Sequence, residues 1–103
     1  MILRFHDEAY EELVAALAWY LERSEAASDG LFTEFRAVYH RASEHPNSGS
    51  RSDGGLRRFP PRKYPFVVYV HPGSGRIVAF AHASRRPGYF LDRLPLESME
   101  DSP

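Results

Sequence analysis

The sequence predicts an α+β fold: an N-terminal strand and an antiparallel helical hairpin packed on a small, mainly antiparallel sheet, in the order β-α-α-β-β-β. Three observations predict it. Apolar residues recur at helical spacing through residues 10–42, short runs rich in Val, Ile, Phe and Tyr fill residues 56–83, and Gly and Pro separate those runs. With 103 residues, 43% hydrophobic content and fourteen aromatic side chains, the chain carries enough apolar material for one core. Residues 1–93 are expected to form a single domain, and 94–103, ending Glu-Asp-Ser-Pro, an acidic and flexible C-terminal tail.

Residues 1–5 alternate, with Ile2 and Arg4 on one side and Met1, Leu3 and Phe5 on the other, which predicts a short first strand. A helix of about five turns follows. Asp7 is placed to cap it, Glu8, Glu11 and Glu12 suit its positive end, and Tyr10, Leu13, Val14, Leu17, Tyr20 and Leu21 recur with its period. After Ser-Glu-Ala-Ala-Ser-Asp-Gly, the residues Leu31, Phe32, Phe35, Val38, Tyr39 and Ala42 define a second amphipathic helix, ended by His45-Pro46 and an Asn-Ser-Gly-Ser tract. Two helices with a short joint make an antiparallel hairpin.

The second half changes period. Leu56 to Phe59 reads as a short strand closed by Pro60-Pro61, Pro65 to Val70 as a second, and Arg76 to Ala83 as its hairpin partner across the turn His71-Pro72-Gly73-Ser74-Gly75. Arg57 and Arg58 must then face opposite sides of the sheet, with the register left open. Residues 84–93 form a basic and aromatic segment after the last strand.

Cysteine is absent, which excludes a disulfide framework, a thiolate zinc site and a cysteine nucleophile, and fits a reducing cytoplasmic location. The longest apolar run, Leu13 to Leu21, is nine residues against the roughly 20 that span a bilayer, so neither a signal peptide nor a membrane segment is expected. His6, His40, His45 and His71 are scattered over cap, helix and turn positions without metal-ligand spacing, and no metal or other cofactor is expected.

The net charge of −1 conceals an asymmetry. Residues 1–50 carry −5, residues 51–93 carry +7 and residues 94–103 carry −3. A basic segment inside a neutral chain places positive potential on one side of a small fold, which suits nucleic acid or an acidic peptide; the alternative is a solvated arginine-rich surface.

Two ordered motifs carry a family resemblance. The stretch 79–93, AFAHASRRPGYFLDR, with its His-x-x-Arg-Arg-Pro-x-Tyr-aromatic ending, and the upstream block LRRFPPRKYPFVVYV, following a helical hairpin, resemble the RelE/ParE superfamily of toxins, plasmid-stabilisation proteins of type II toxin-antitoxin systems. The resemblance covers almost the whole chain and is closer to the ParE-like branch. Tyr89-Phe90 stands where the family often has a tryptophan, a change that keeps an apolar side chain there. The resemblance implies a growth-inhibiting toxin neutralised by a cognate antitoxin that folds across its surface. An apolar helical groove beside a basic face suits such an acidic segment. Tyr10 and Tyr20, in register with Leu13 and Leu17, read as core, whereas Trp19 falls on another side of the helix and is the candidate antitoxin-binding residue.

Two mechanisms are implied. A RelE-like ribosome-dependent mRNA endonuclease needs a base for the 2′-hydroxyl, a donor for the leaving oxygen and cations around the phosphate. His82, Arg85 and Tyr89 are the catalytic candidates for that reading, Tyr89 to stack or to donate a proton. On strand alternation His82 lies with Val78 and Phe80, which also permits a buried histidine bonded to the backbone. A ParE-like poison of DNA gyrase catalyses nothing and acts by binding. The long helices and the low pI of about 6.5, unsuited to a phosphate-lined ribosomal site, favour the second. In either case Arg58, Arg62, Lys63, Arg85, Arg86 and Tyr89 are the expected functional surface. A non-toxic nucleic-acid-binding domain is a third reading, weakened by acidic helices that lack a helix-turn-helix joint.

Overall fold

Two helices lie against one face of a five-stranded sheet of order β1-β5-β4-β3-β2 in the computed structural model, which describes residues 1–95. β1 (Arg4–Phe5) pairs in parallel with the start of β5 (Arg76–His82). The other pairings are antiparallel: β5 with β4 (Phe66–His71), β4 with β3 (Arg57–Phe59), and β3 with β2 (Ser50–Arg51). The α+β fold class is therefore as predicted, with one strand more. The added β2 arises because the Arg57 guanidinium donates to the carbonyls of Asn47 and Gly49 at 3.0 and 3.1 Å, drawing the Asn-Ser-Gly-Ser tract against β3. Gly49 allows that approach, since a Cβ there would stand 2.6 Å from the Arg58 carbonyl oxygen and 2.7 Å from the Phe59 ring.

The elements differ from the sequence expectation mainly at their ends. β1 covers Arg4 and Phe5 rather than residues 1–5, although Leu3 is buried and Ile2 exposed as the alternation requires. α1 (Asp7–Leu21) is 15 residues long, about four turns instead of five, and its cap is His6. The His6 Nδ1 accepts the Glu8 N–H at 3.1 Å, so Asp7 is the first helical residue and not the cap. α2 (Glu25–Glu44) begins well before Leu31 because the polar stretch is used inside the hairpin. Ser24 caps the helix by accepting the Ala27 N–H at 3.1 Å, and Ser28 donates to the Leu17 carbonyl of α1 at 3.0 Å. The helix ends at Glu44, before Pro46, as expected. From residue 96 onward, the expected acidic tail lies outside the described residues.

The line of α1 closest to the sheet is Ala9, Leu13 and Ala16, with Leu17 and Tyr20 half-buried. Small alanines let the helix approach β5, which pushes the larger residues of the apolar stripe to its flank. Tyr10, expected in the core, is 55% exposed and meets Phe5 edge-on, and Val14 and Leu21 are also exposed. The main core joins this line to Leu31, Phe35 and Val38 of α2 and to Val68, Val70, Ile77 and Phe80 of the sheet.

The opposite face of the sheet carries a second, smaller core of Leu56, Val78, Ala79 and Ala81, covered by Phe90. A β-bulge produces it: Val70 pairs with Ile77 and Tyr69 with Ala79, leaving Val78 as the extra residue. Ile77 and Phe80 therefore face the helices while Val78, Ala79 and Ala81 face away. The chain reaches this second core through Gly88, at φ 75°, and a 3₁₀ segment, Tyr89–Arg93.

Gly49→Ala is expected to cost about 2 kcal/mol, because the methyl group meets backbone and a buried ring. Gly73→Ala, whose Cβ would stand 3.4 Å from the His71 ring, should be close to neutral. Urea denaturation of the two variants checks the contrast; equal midpoints would show that β2 does not need the close approach.

Candidate functional site

From Val78 onward no described strand lies beside β5 on the side of β1, because β1 pairs with Arg76 and Ile77 only. Backbone groups on that edge need other partners. The Val78 carbonyl accepts from Arg93 Nη1 at 2.8 Å, and the Phe80 N–H donates to Glu12 Oε1 at 3.0 Å. Glu12 lies on α1 one turn before Ala16, and its carboxylate faces inward. It also accepts Arg93 Nη1 and Nη2 at 3.0 and 2.8 Å and the Tyr89 hydroxyl at 2.5 Å. Arg93 Nε stands 3.3 Å from Glu8, and the Arg93 side chain is only 6% exposed.

Burial by itself would raise the Glu12 carboxyl, but the Arg93 guanidinium, the Tyr89 hydroxyl and the Phe80 N–H outweigh it and hold the group below its ordinary 4.5. Burial, then the hydrogen bond and charge of Glu12, push the Tyr89 phenol well above its ordinary 10, against the smaller opposing effects of Arg93 and Arg85. Tyr89 is therefore a neutral donor whose proton is committed to Glu12.

This network clamps the C-terminal segment beside α1 and leaves a hollow on each side. The first is an apolar groove of 430 Å³ between α1 and the end of β5, lined by Ala15, Ala16, Trp19, Phe66 and Phe80, with Glu12, His82, Arg85 and Tyr89 on its walls. The second, a shelf of 340 Å³ on the opposite face of the sheet, is lined by Arg58, Tyr69, Ala81, Arg86 and Phe90, again with His82, Arg85 and Tyr89.

Arg58, Arg85, Arg86 and Tyr89 are thus brought together from two separate stretches of chain. Arg58 faces the shelf, its Nε 3.3 Å from the Tyr69 hydroxyl, while Arg57 faces the helix side and holds β2. Arg85 lies over the Tyr89 ring, 3.9 Å from its centroid. Arg62 and Lys63 stand apart in the loop between β3 and β4, where the Lys63 backbone N–H donates to Glu34 of α2 at 2.9 Å; neither lines the two hollows. Trp19 is 51% exposed at the end of the groove, with the Arg23 guanidinium 3.5 Å above its ring.

His82 departs from the buried position that alternation permitted. The bulge moves Val78 to the other face, and His82, last in β5, is exposed where groove and shelf meet. Its Nδ1 accepts the Ser84 N–H at 2.9 Å and lies 2.7 Å from the Ser84 hydroxyl. The arrangement can hold anionic oxygens with three arginines, with the His82 imidazole at its mouth. Among the described residues, no group of three His, Cys, Asp or Glu is placed to hold a metal.

Sequence reasoning missed Glu12, Arg93 and Tyr69. The signal for Glu12 was present: it is an acid three residues after Ala9 and four before Ala16, hence on the buried side of a helix where a carboxylate requires a partner. No protein-family model and no curated protein matches this chain. No helix among the described residues is long and apolar enough to cross a membrane.

Glu12→Gln should destabilise the protein by about 2–3 kcal/mol at neutral pH, since among the described residues it leaves the Arg93 charge with Glu8 as its remaining ion-pair partner. A group whose folded pKa is depressed stabilises above its unfolded value and loses that contribution as pH falls through the folded value. The gap in melting temperature between parent and variant should therefore be full above pH 4.5 and shrink below it. A gap that is independent of pH would mean that the Glu12 charge is not what holds the segment.

Proposed function

We propose that this chain is the growth-arresting toxin of a type II toxin-antitoxin pair, of the RelE/ParE kind, and that it acts as a ParE-like inhibitor of DNA gyrase. The observation that carries the reading is the convergence of the two resembling motifs. Arg58, from the upstream block, and His82, Arg85, Arg86 and Tyr89, from the downstream ending, line one hollow although 23 positions separate Arg58 from Ala81 at its floor. Beside that hollow lies an apolar groove with the exposed Trp19, a receptor of the kind that an acidic amphipathic antitoxin segment would fill. A binding mode rather than catalysis is supported by Tyr89. Its hydroxyl serves Glu12, which takes away the second proton carrier that RNA cleavage needs.

The ribosome-dependent endonuclease stands as the second reading because of His82. That side chain is exposed at the mouth of the arginine hollow, where an acid-base group would be required. Partners under the first reading are a cognate antitoxin and gyrase, and under the second a cognate antitoxin and the ribosome with mRNA. A cytoplasmic location follows from either target.

Expression of the chain in a bacterium should arrest growth, and the purified protein should inhibit gyrase supercoiling while leaving labelled mRNA intact in a translating extract. Cut mRNA with normal supercoiling would replace the gyrase reading with the endonuclease. Growth without arrest would remove both and leave a non-toxic binding domain. The double substitution Arg85→Glu with Arg86→Glu should abolish arrest with an unchanged circular dichroism spectrum, because both side chains are exposed. A folded double variant that still arrests growth would detach the shelf from the activity.

A further inference from the structure

The groove and the shelf are separate hollows, yet His82, Arg85 and Tyr89 line both. Tyr89 is tied to Glu12, and the His82 ring to Ser84. Arg85 differs from them. It is exposed in the turn that follows β5 and is held against the Tyr89 ring by stacking, an attachment that a carboxylate or phosphate readily outcompetes.

We propose that Arg85 is shared between the two sites: an acidic amphipathic segment of a partner protein seated in the groove takes its guanidinium with a carboxylate and so withdraws it from the shelf, where it otherwise holds a phosphate oxygen of a polyanion. The inference rests on the reading above for the existence of a silencing partner, and adds that silencing passes through one cation. The walls select that occupant. Ala15, Ala16, Phe66 and Phe80 receive an apolar anchor, and cations stand at both ends, Arg23 above Trp19 and Arg85 above Tyr89. The acid on the wall, Glu12, is already neutralised by Arg93. An apolar side chain flanked by carboxylates is complementary to this surface, and a basic segment is not. One guanidinium fork cannot pair fully with a carboxylate in the groove and a phosphate on the shelf at once, so each ligand weakens the other by the same factor.

The absence of cysteine makes a clean test possible, because Ala15→Cys, exposed on α1, gives a single attachment point. One sample carries a naphthylsulfonate there, an apolar ring with an anion, and another a neutral naphthyl group; the shelf is read by the anisotropy of a dye-labelled oligothymidylate. The sulfonate should weaken oligonucleotide binding about tenfold relative to the neutral label, the scale of one lost charge-assisted pair. In an Arg85→Ala background the two labels should give equal affinities. Equal affinities in the parent, a sulfonate penalty undiminished in Arg85→Ala, or an unlabelled protein that does not hold the oligonucleotide would each overturn the proposal. If Ala15→Cys does not fold, Trp19→Cys, also exposed on α1, carries the same pair of labels to the same readout. Growth arrest plays no part in this cycle. Failure of the toxin reading would appear as growth without arrest, and failure of the coupling as a flat cycle.

Discussion

The ion pair between Glu12 and Arg93 is the contact on which the rest of the structure depends. β1 covers only the first two residues of β5, and a sheet edge left open within a fold of this size must satisfy its backbone groups or lose them to water. Where no described strand covers that edge, two side chains serve it: the carboxylate takes the Phe80 N–H and the guanidinium serves the Val78 carbonyl. Each also neutralises the other, so neither charge is buried alone. The same carboxylate receives the Tyr89 hydroxyl, and this third bond decides where the C-terminal segment lies.

The position of that segment decides the surface. Phe90 closes a small core on the face of the sheet opposite the helices, while Tyr89 turns edge-on to it at 5.3 Å and faces α1. Arg85 is carried onto the Tyr89 ring, and the space between Tyr89 and the alanines of α1 remains as the groove. The half of the chain that is acidic supplies the helices, and the half that is basic supplies the shelf, so the charge asymmetry of the sequence becomes an asymmetry of faces. A partner that recognises this surface meets apolar area and positive charge side by side, the combination that suits the proposed antitoxin segment.

Much of the fold was legible in the sequence because it rests on local period. The helical spacing of Leu31, Phe35 and Val38, the β-branched run Val67-Val68, and the Pro and Gly breaks all express backbone preferences within a few residues, and they yield the α+β class and the order of elements. Of the site, the identity of Arg58, Arg85, Arg86 and Tyr89 as one surface and of Trp19 as an exposed aromatic could be read; the separation of Arg62 and Lys63 from it could not.

What only the tertiary structure decided turns on two non-local events. The bulge at Val78 inverts the facing of Arg76, Ile77 and Val78 relative to His82, and alternation counted along one strand cannot register an extra residue that is defined by its pairing with another. The pairing of Glu12 with Arg93 joins residues 81 positions apart, and nothing in the sequence near either one names the other. The sequence by itself determined the two helices, the strands β1, β3, β4 and β5 to within their ends, and where positive charge concentrates, because those follow from neighbouring residues, whereas β2 depends on the Arg57 side chain. Which side chains meet, and hence what the surface offers a partner, followed from the packing of α1 against an edge that β1 is too short to cover.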